Sequence, residues 1–184
     1  LVTTDVLSHK VSPKDRNSYP LVGDAASITI VEKSSEENSI EAVILNDGTR
    51  ASALQIPAGG FKLPSSADTA IMTADSEGNE RSLDNLVMDG TAVFNFVMTD
   101  VPPMLEDLLS RSKVSKDEID YFLFHQPNKF MLNKLAEKLD VPYEKMPANV
   151  VEKYGNSSGT TVPAVTVLTF ENKTMPEKQK VCFS

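Results

Sequence analysis

Tyr121-Phe122-Leu123-Phe124-His125-Gln126-Pro127-Asn128-Lys129-Phe130-Met131-Leu132-Asn133-Lys134-Leu135 is where the chain changes character. Four apolar residues in a row, ended by a polar tetrapeptide, read as a strand buried on both faces, and we place it over residues 119–124. Met131, Leu132, Leu135 and Leu139 then fall three or four apart, with Lys134 and Lys138 on the opposite face. That spacing predicts a helix over residues 128–139, ended by Pro142. His125 thus stands where a buried strand stops and a helix starts, the position at which α/β proteins bind ligands.

Working outward, Gly155-Asn156-Ser157-Ser158-Gly159 repeats the pattern. The pair Val150-Val151 before it suggests a short extended run, and residues 157–170 an apolar helix with Pro163 near its start, where proline is tolerated. Upstream, residues 90–109 carry apolar residues at helical spacing from Phe94 to Leu109, and Pro102 is expected to kink or divide that helix. Ser115-Lys116-Asp117-Glu118 is a capping-box pattern. Residues 1–6 and 25–31 read as strands, as does 40–45, joined to 25–31 by a polar hairpin-type turn over 32–39 and paired with it antiparallel. Residues 46–87, punctuated by Gly48, Pro57, Gly59, Gly60, Pro64 and Gly78, read as a long excursion with short strands, of the kind that tends to be functional. Strands alternating with helices through the second half favour a layered α/β fold.

The 184 residues are 40% hydrophobic and 24% charged, the composition of a globular chain. A net charge of −8 argues against broad nucleic-acid binding, although Lys129, Lys134, Lys138, Lys145 and Lys153 surround both motifs. One cysteine, Cys182, permits no disulfide within the chain, and its apolar neighbours mark it as packed. No stretch is long and apolar enough for a membrane helix, so no membrane role and a cytoplasmic location are expected. Strand-like runs at both ends suggest a piece of a longer protein.

His125 and Asn156 each have a plain structural explanation: a histidine capping a strand end, and an asparagine suited to turn dihedrals. Together they suggest more. An imidazole and a side-chain amide can both donate hydrogen bonds to one developing oxyanion, and backbone N–H groups of 157–159 at a helix start add to that field. A nucleophile is missing. Ser157 and Ser158 lack the sharp Gly-x-Ser-x-Gly elbow, no residues have metal-ligand spacing, and Gly59-Gly60 is too little for a phosphate loop.

His-Gln-Pro-Asn at 125–128 and Tyr-Gly-Asn-Ser-Ser-Gly-Thr-Thr-Val-Pro at 154–163 resemble the β-ketoacyl-[acyl carrier protein] synthase III family of the thiolase superfamily. Thr4-Asp5-Val6-Leu7-Ser8, Leu21-Val22-Gly23-Asp24-Ala25-Ala26, Ile56-Pro57-Ala58-Gly59-Gly60 and Met88-Asp89-Gly90 match in order. The resemblance covers nearly the whole chain and is to a C-terminal half. It implies a thiolase-like layered fold, a mixed sheet covered by helices. It implies an acyltransferase that joins an acyl group from acyl-CoA to malonyl-acyl carrier protein with decarboxylation, initiating fatty-acid synthesis. A Cys-His-Asn triad is implied, with His125 and Asn156 as its last two members and the Cys outside this segment, so the chain alone is expected to be inactive. Asn128 matches a residue lining the coenzyme A channel, and the Gly59-Gly60 loop lies near it. Acyl-CoA is a substrate and no cofactor or metal is implied; a homodimer is expected of the whole enzyme. The sequence departs from the pattern at Ala25-Ala26, where relatives often have a second Gly. It departs again at Phe130, where relatives place a basic residue on the carrier-docking face and Lys129 and Lys134 are the nearby substitutes. A related condensing enzyme of secondary metabolism, or an inactive thiolase-fold partner subunit, would carry the same pattern.

Overall fold

A computed structural model describes residues 1–33, 40–171 and 179–184. Strand β1 (Val2–Asp5) pairs antiparallel with β2 (Ala25–Ile28), with Val2 opposite Ile28 and Asp5 opposite Ala25. The excursion contains β3 (Leu54–Gln55), β4 (Thr73–Ala74), β5 (Glu80–Arg81) and β6 (Val87–Met88); β3 pairs with β6 and β4 with β5, all antiparallel. Buried Asp15 meets Arg81 at 3.1 Å, and Arg16 N–H donates to Asn79 at 3.1 Å, tying the 12–18 turn to the β4–β5 hairpin.

Asp89 caps helix α1 (Gly90–Ser112), its carboxylate accepting from Ala92 N–H at 2.9 Å. Strand β7 (Tyr121–Leu123) follows, then α2 (Lys129–Leu139), α3 (Val150–Tyr154), α4 (Thr161–Phe170) and β8 (Val181–Phe183), which returns parallel to β7. The two-residue period of β7 places it between two helical layers. Phe122 and Phe124 face Leu105 of α1 and Leu132, Leu135 and Leu139 of α2, whereas Leu123 faces Val150 of α3 and Val165 of α4. Phe122, Leu123, Val150 and Val165 are fully buried, so the apolar run at 121–124 is continuous because both of its faces are covered.

Two expectations give way and one is narrowed. Of a kink or a division at Pro102, the division is absent: helix α1 is one element of 23 residues with Pro102 and Pro103 inside it. Buried Pro102 and Leu105 pack towards the core, and that packing outweighs the two donors the prolines remove. Val150-Val151 opens a helix rather than forming an extended run, because Val150 fills the space between Leu123 and Val165; packing overrides the weak β preference of valine. Residues 40–45 form no strand. Ile40 and Ile44 are exposed, and the antiparallel partner of β2 is β1. Strand preference reflects packing on a pleated surface, and among the described residues this stretch pairs with no strand. Most of the turn expected at 32–39 lies outside the described residues. The capping box at Ser115–Glu118 and the helix start at Asn128 are as expected.

Candidate active site

His125 follows β7, where its backbone N–H donates to Ser184 O at 2.5 Å and so continues the pairing with β8. Beside it Gln126 is fully buried; its side-chain amide donates to Phe124 O at 2.9 Å and Pro147 O at 3.0 Å, fixing the turn that carries the imidazole. Asn128 ends the turn as the N-cap of α2, its Oδ1 accepting from Met131 N–H at 2.8 Å.

Asn156 is held by a different device. Its backbone forms a parallel bridge with Val22, its N–H donating to Leu21 O at 2.7 Å and its carbonyl accepting from Gly23 N–H at 2.9 Å. Two glycines let the backbones come this close. A Cβ on Gly23 would lie 1.8 Å from Tyr154 O, and one on Gly155 would lie 2.9 Å from Val22 and Gly23 backbone atoms. Gly155 also has φ 74 and ψ −178, a region that is essentially glycine-only. Asp24 continues the same loop, accepting from Ser8 N–H at 3.0 Å and Ser8 Oγ at 2.5 Å, and these bonds hold its carboxyl below the usual range.

The two motifs meet at Ser158. Its N–H donates to Asn156 Oδ1 at 2.8 Å, which turns the amide so that Nδ2 is the free donor end. Its carbonyl accepts from Thr161 Oγ1 at 2.8 Å, and Thr161 Oγ1 lies 2.7 Å from His125 Nδ1. Ser158 does this in a left-handed conformation, φ 54, which costs a non-glycine residue about 1 kcal/mol. Burial pushes the His125 pKa below its ordinary value of 6.5, opposed by the Ser158 carbonyl, so the ring is neutral near pH 7. A donor amide and an imidazole held by one residue form a site in which Asn156 Nδ2 can polarise a carbonyl.

The family model for the 3-oxoacyl-[acyl-carrier-protein] synthase III C terminal matches residues 109–184, which include His125, Asn156, Ser158 and Thr161. Residues 109–184 thus match the C-terminal domain of 3-oxoacyl-[acyl-carrier-protein] synthase III proteins. A β-ketoacyl-[acyl-carrier-protein] synthase III of Streptococcus gordonii is 36% identical over 163 residues, 89% of this chain and 47% of the relative. One from Synechococcus sp. strain WH7803 is 34% identical over 89% of this chain and 46% of the relative. A crystal structure of a 3-oxoacyl-(acyl-carrier-protein) synthase III superposes with a TM-score of 0.93 at 33% identity, over all of this chain and 55% of the other. The chain spans about half the length of the curated relatives it matches. The thiolase-like layered α/β fold expected from the motifs is the fold observed.

Within this family frame, the structure joins His125 to Asn156 through Ser158 and Thr161 and puts Asn128 three residues beyond His125 at the start of α2. The Gly59-Gly60 loop is held from within the excursion: Gly59 has φ 99, and the loop's backbone hydrogen bonds run to Leu63 and Leu83. The expected role of the 157–159 N–H groups changes, since Ser158 N–H is spent on Asn156 rather than left for a ligand. The lysine cluster is largely committed: Lys129 pairs with Glu152, Lys134 with Glu137 at 2.6 Å, and Lys145 donates to Ile119 O at 2.6 Å. Phe130 stacks on Phe94 with centroids 6.0 Å apart. Cys182 is buried among Phe122 and its neighbours, and burial pushes its thiol up to about 11, which makes it a poor nucleophile. Sequence reasoning missed Thr161, five residues beyond Asn156, and aimed the Ser158 N–H at a ligand rather than at Asn156.

Proposed function

We propose that this chain forms the His/Asn side of the active site in a longer condensing acyltransferase, one that joins an acyl group from acyl-CoA to malonyl-acyl carrier protein with loss of carbon dioxide. The observation that carries the proposal is the shared anchor: Ser158 holds Asn156 through its N–H and, with Thr161, holds His125 through its carbonyl. In this reaction a thiol from outside the chain attacks the acyl-CoA carbonyl, the bond to the coenzyme A sulfur breaks, and coenzyme A leaves as its free thiol while the acyl group stays on the protein as a thioester. The malonyl C–C bond to its carboxylate then breaks, and its electron pair moves onto the thioester carbonyl as an enolate. Asn156 Nδ2, with His125 beside it, stabilises that charge, and the carbanion attacks the acyl-enzyme to expel the thiolate. Asn128 and the Gly59-Gly60 loop are assigned to the coenzyme A channel; acyl-CoA is treated as a substrate, with no separate cofactor.

Exposed apolar surface supports a larger body. Helix α4 is apolar on nearly all faces yet leaves Val167 exposed, and Val2, Ile28 and Ile30 stand exposed on or beside the β1–β2 pair. Surface of this kind is normally covered by another part of the protein or a second subunit, and a homodimer of the whole enzyme fits it. The test is His125→Ala and Asn156→Ala in the full-length protein, with acyl transfer from acyl-CoA to the thiol measured apart from condensation. Each variant should lose condensation by about a hundredfold or more, while acyl transfer survives better. Equal loss of both steps, or loss of neither, rejects the assignment.

A further inference from the structure

Thr161 Oγ1 is fully buried and has three polar neighbours: Gln126 N–H at 3.1 Å, Ser158 O at 2.8 Å and His125 Nδ1 at 2.7 Å. A hydroxyl carries one proton and two acceptor lone pairs. Gln126 N–H can only donate, and the Ser158 carbonyl can only accept. One arrangement satisfies all three contacts: Gln126 donates to Oγ1, Oγ1 donates to Ser158 O, and His125 Nδ1–H donates to Oγ1. If Oγ1 donated to His125 instead, two oxygens would face each other at 2.8 Å with no proton between them, inside the protein, where an unmade bond is costly.

We infer that Thr161 is a positioning residue that locks neutral His125 in the Nδ1–H tautomer, leaving Nε2 as a lone-pair acceptor. The Ser158 carbonyl also acts directly on the His125 ring in the sense that favours a proton on it, consistent with this arrangement. Thr161 has no surface with which to touch a substrate, so its effect passes through the imidazole. For catalysis the inference rests on the proposed function and refines it. Nε2 enters the reaction as a proton acceptor, and it donates to an oxyanion only after taking up a proton. Among the pair, Asn156 Nδ2 is the donor available from the start.

The test reads the ring directly. Protein labelled with 15N at histidine, which contains only His9 and His125 in this chain, reports through long-range nitrogen–proton couplings which nitrogen carries the proton. Above the titration of the ring, His125 should show the Nδ1–H pattern, favoured over Nε2–H by about tenfold or more, the scale of one lost buried hydrogen bond. Thr161→Ser keeps the hydroxyl and should keep that pattern. Thr161→Val removes it and should shift His125 towards Nε2–H; in the full-length enzyme it should lower kcat more than it raises KM. An Nε2–H pattern in the unmodified protein overturns the inference, whether or not Thr161→Val folds. None of the tautomer readings depends on catalytic activity, so a failure of the inference is distinguishable from a failure of the proposed function.

Discussion

Replacing three glycines around Asn156 by alanine separates close backbone packing from mere flexibility. In Gly23→Ala the new methyl would sit 1.8 Å from Tyr154 O, 2.8 Å from Tyr154 C and 3.1 Å from Gly155 Cα. Non-bonded heavy atoms rest at about 3.5 Å or more, so the two loops must part by more than about 1 Å. Nothing flexible can yield, because the obstruction is backbone. Parting them stretches the Gly23 N–H to Asn156 O and Asn156 N–H to Leu21 O bonds. Overpacking of this kind costs about 1–3 kcal/mol and each lost bond about 1 kcal/mol, giving roughly 3–5 kcal/mol. The relatives are about twice as long as this chain, so in the full-length protein each kcal/mol lowers Tm by about 1–2 °C and the expected drop is about 5 °C. Gly155→Ala should cost at least as much, since its φ and ψ are open only to glycine. Gly159→Ala is the internal control: its Cβ would meet nothing within 4 Å, and its backbone is ordinary, so Tm should stay within about 2 °C. The assay is thermal unfolding of the full-length protein with condensation measured beside it. Shifting Asn156 by an ångström should cost about a hundredfold in rate where the fold survives. Gly23→Ala with unchanged Tm and activity, or Gly159→Ala as damaging as Gly155→Ala, refutes the reasoning.

Other outcomes follow from single contacts. Asn128→Ala removes the cap of α2 and should lower stability by about 1 kcal/mol, read as a Tm fall of about 1–2 °C; a larger rise in KM for acyl-CoA than that loss explains would support its place in the substrate channel. Leu132→Ala opens space in the core between α2 and β7 and should cost about 2–5 kcal/mol by denaturant unfolding, without a selective effect on either catalytic step. The pH dependence of His125 has a definite sign. Its pKa is lowered by burial, so the unfolded chain binds the proton better. The penalty is absent well above 6.5, grows as pH falls below 6.5, and levels off below the folded-state pKa. Relative to His125→Gln, the unmodified protein should therefore lose stability between about pH 7 and pH 5; a constant difference across that range would contradict it.

Particular residues show which parts of the fold the sequence exposes. The run at 121–124 was legible because both faces of β7 are buried, so pattern and environment agree. Helix α2 was legible for the same reason, its apolar stripe set against Phe122 and its cap written in Asn128. Val150-Val151 misled because valine's β preference is weak, while the slot between Leu123 and Val165 is a strong constraint invisible from local sequence. Residues 40–45 misled in the opposite way: strand-forming residues lie exposed and pair with no strand among the described residues. The site was half legible. His125 and Asn156 stood out by chemical type, whereas Thr161 and Ser158 act through a hydroxyl and a peptide group, which every sequence contains in abundance.

That asymmetry bears on how the site is built. The imidazole and the amide come from loops 31 positions apart, yet their orientations are set within one turn, by the N–H and carbonyl of Ser158. A single peptide segment that fixes both groups makes their relative placement insensitive to small movements of β7 or of the 21–24 loop. It also makes both groups depend on one left-handed residue. Ser158→Gly should relieve that strain and leave the hydrogen bonds in place, whereas Ser158→Val puts a branched side chain at φ 54, where its Cβ crowds the carbonyl. Condensation in the full-length enzyme should therefore fall sharply in the valine variant and little in the glycine variant. The same order should appear in the His125 tautomer signature, because the carbonyl that anchors Thr161 moves with Ser158. If glycine and valine were equally harmful, the serine side chain rather than its backbone would be what matters at this position.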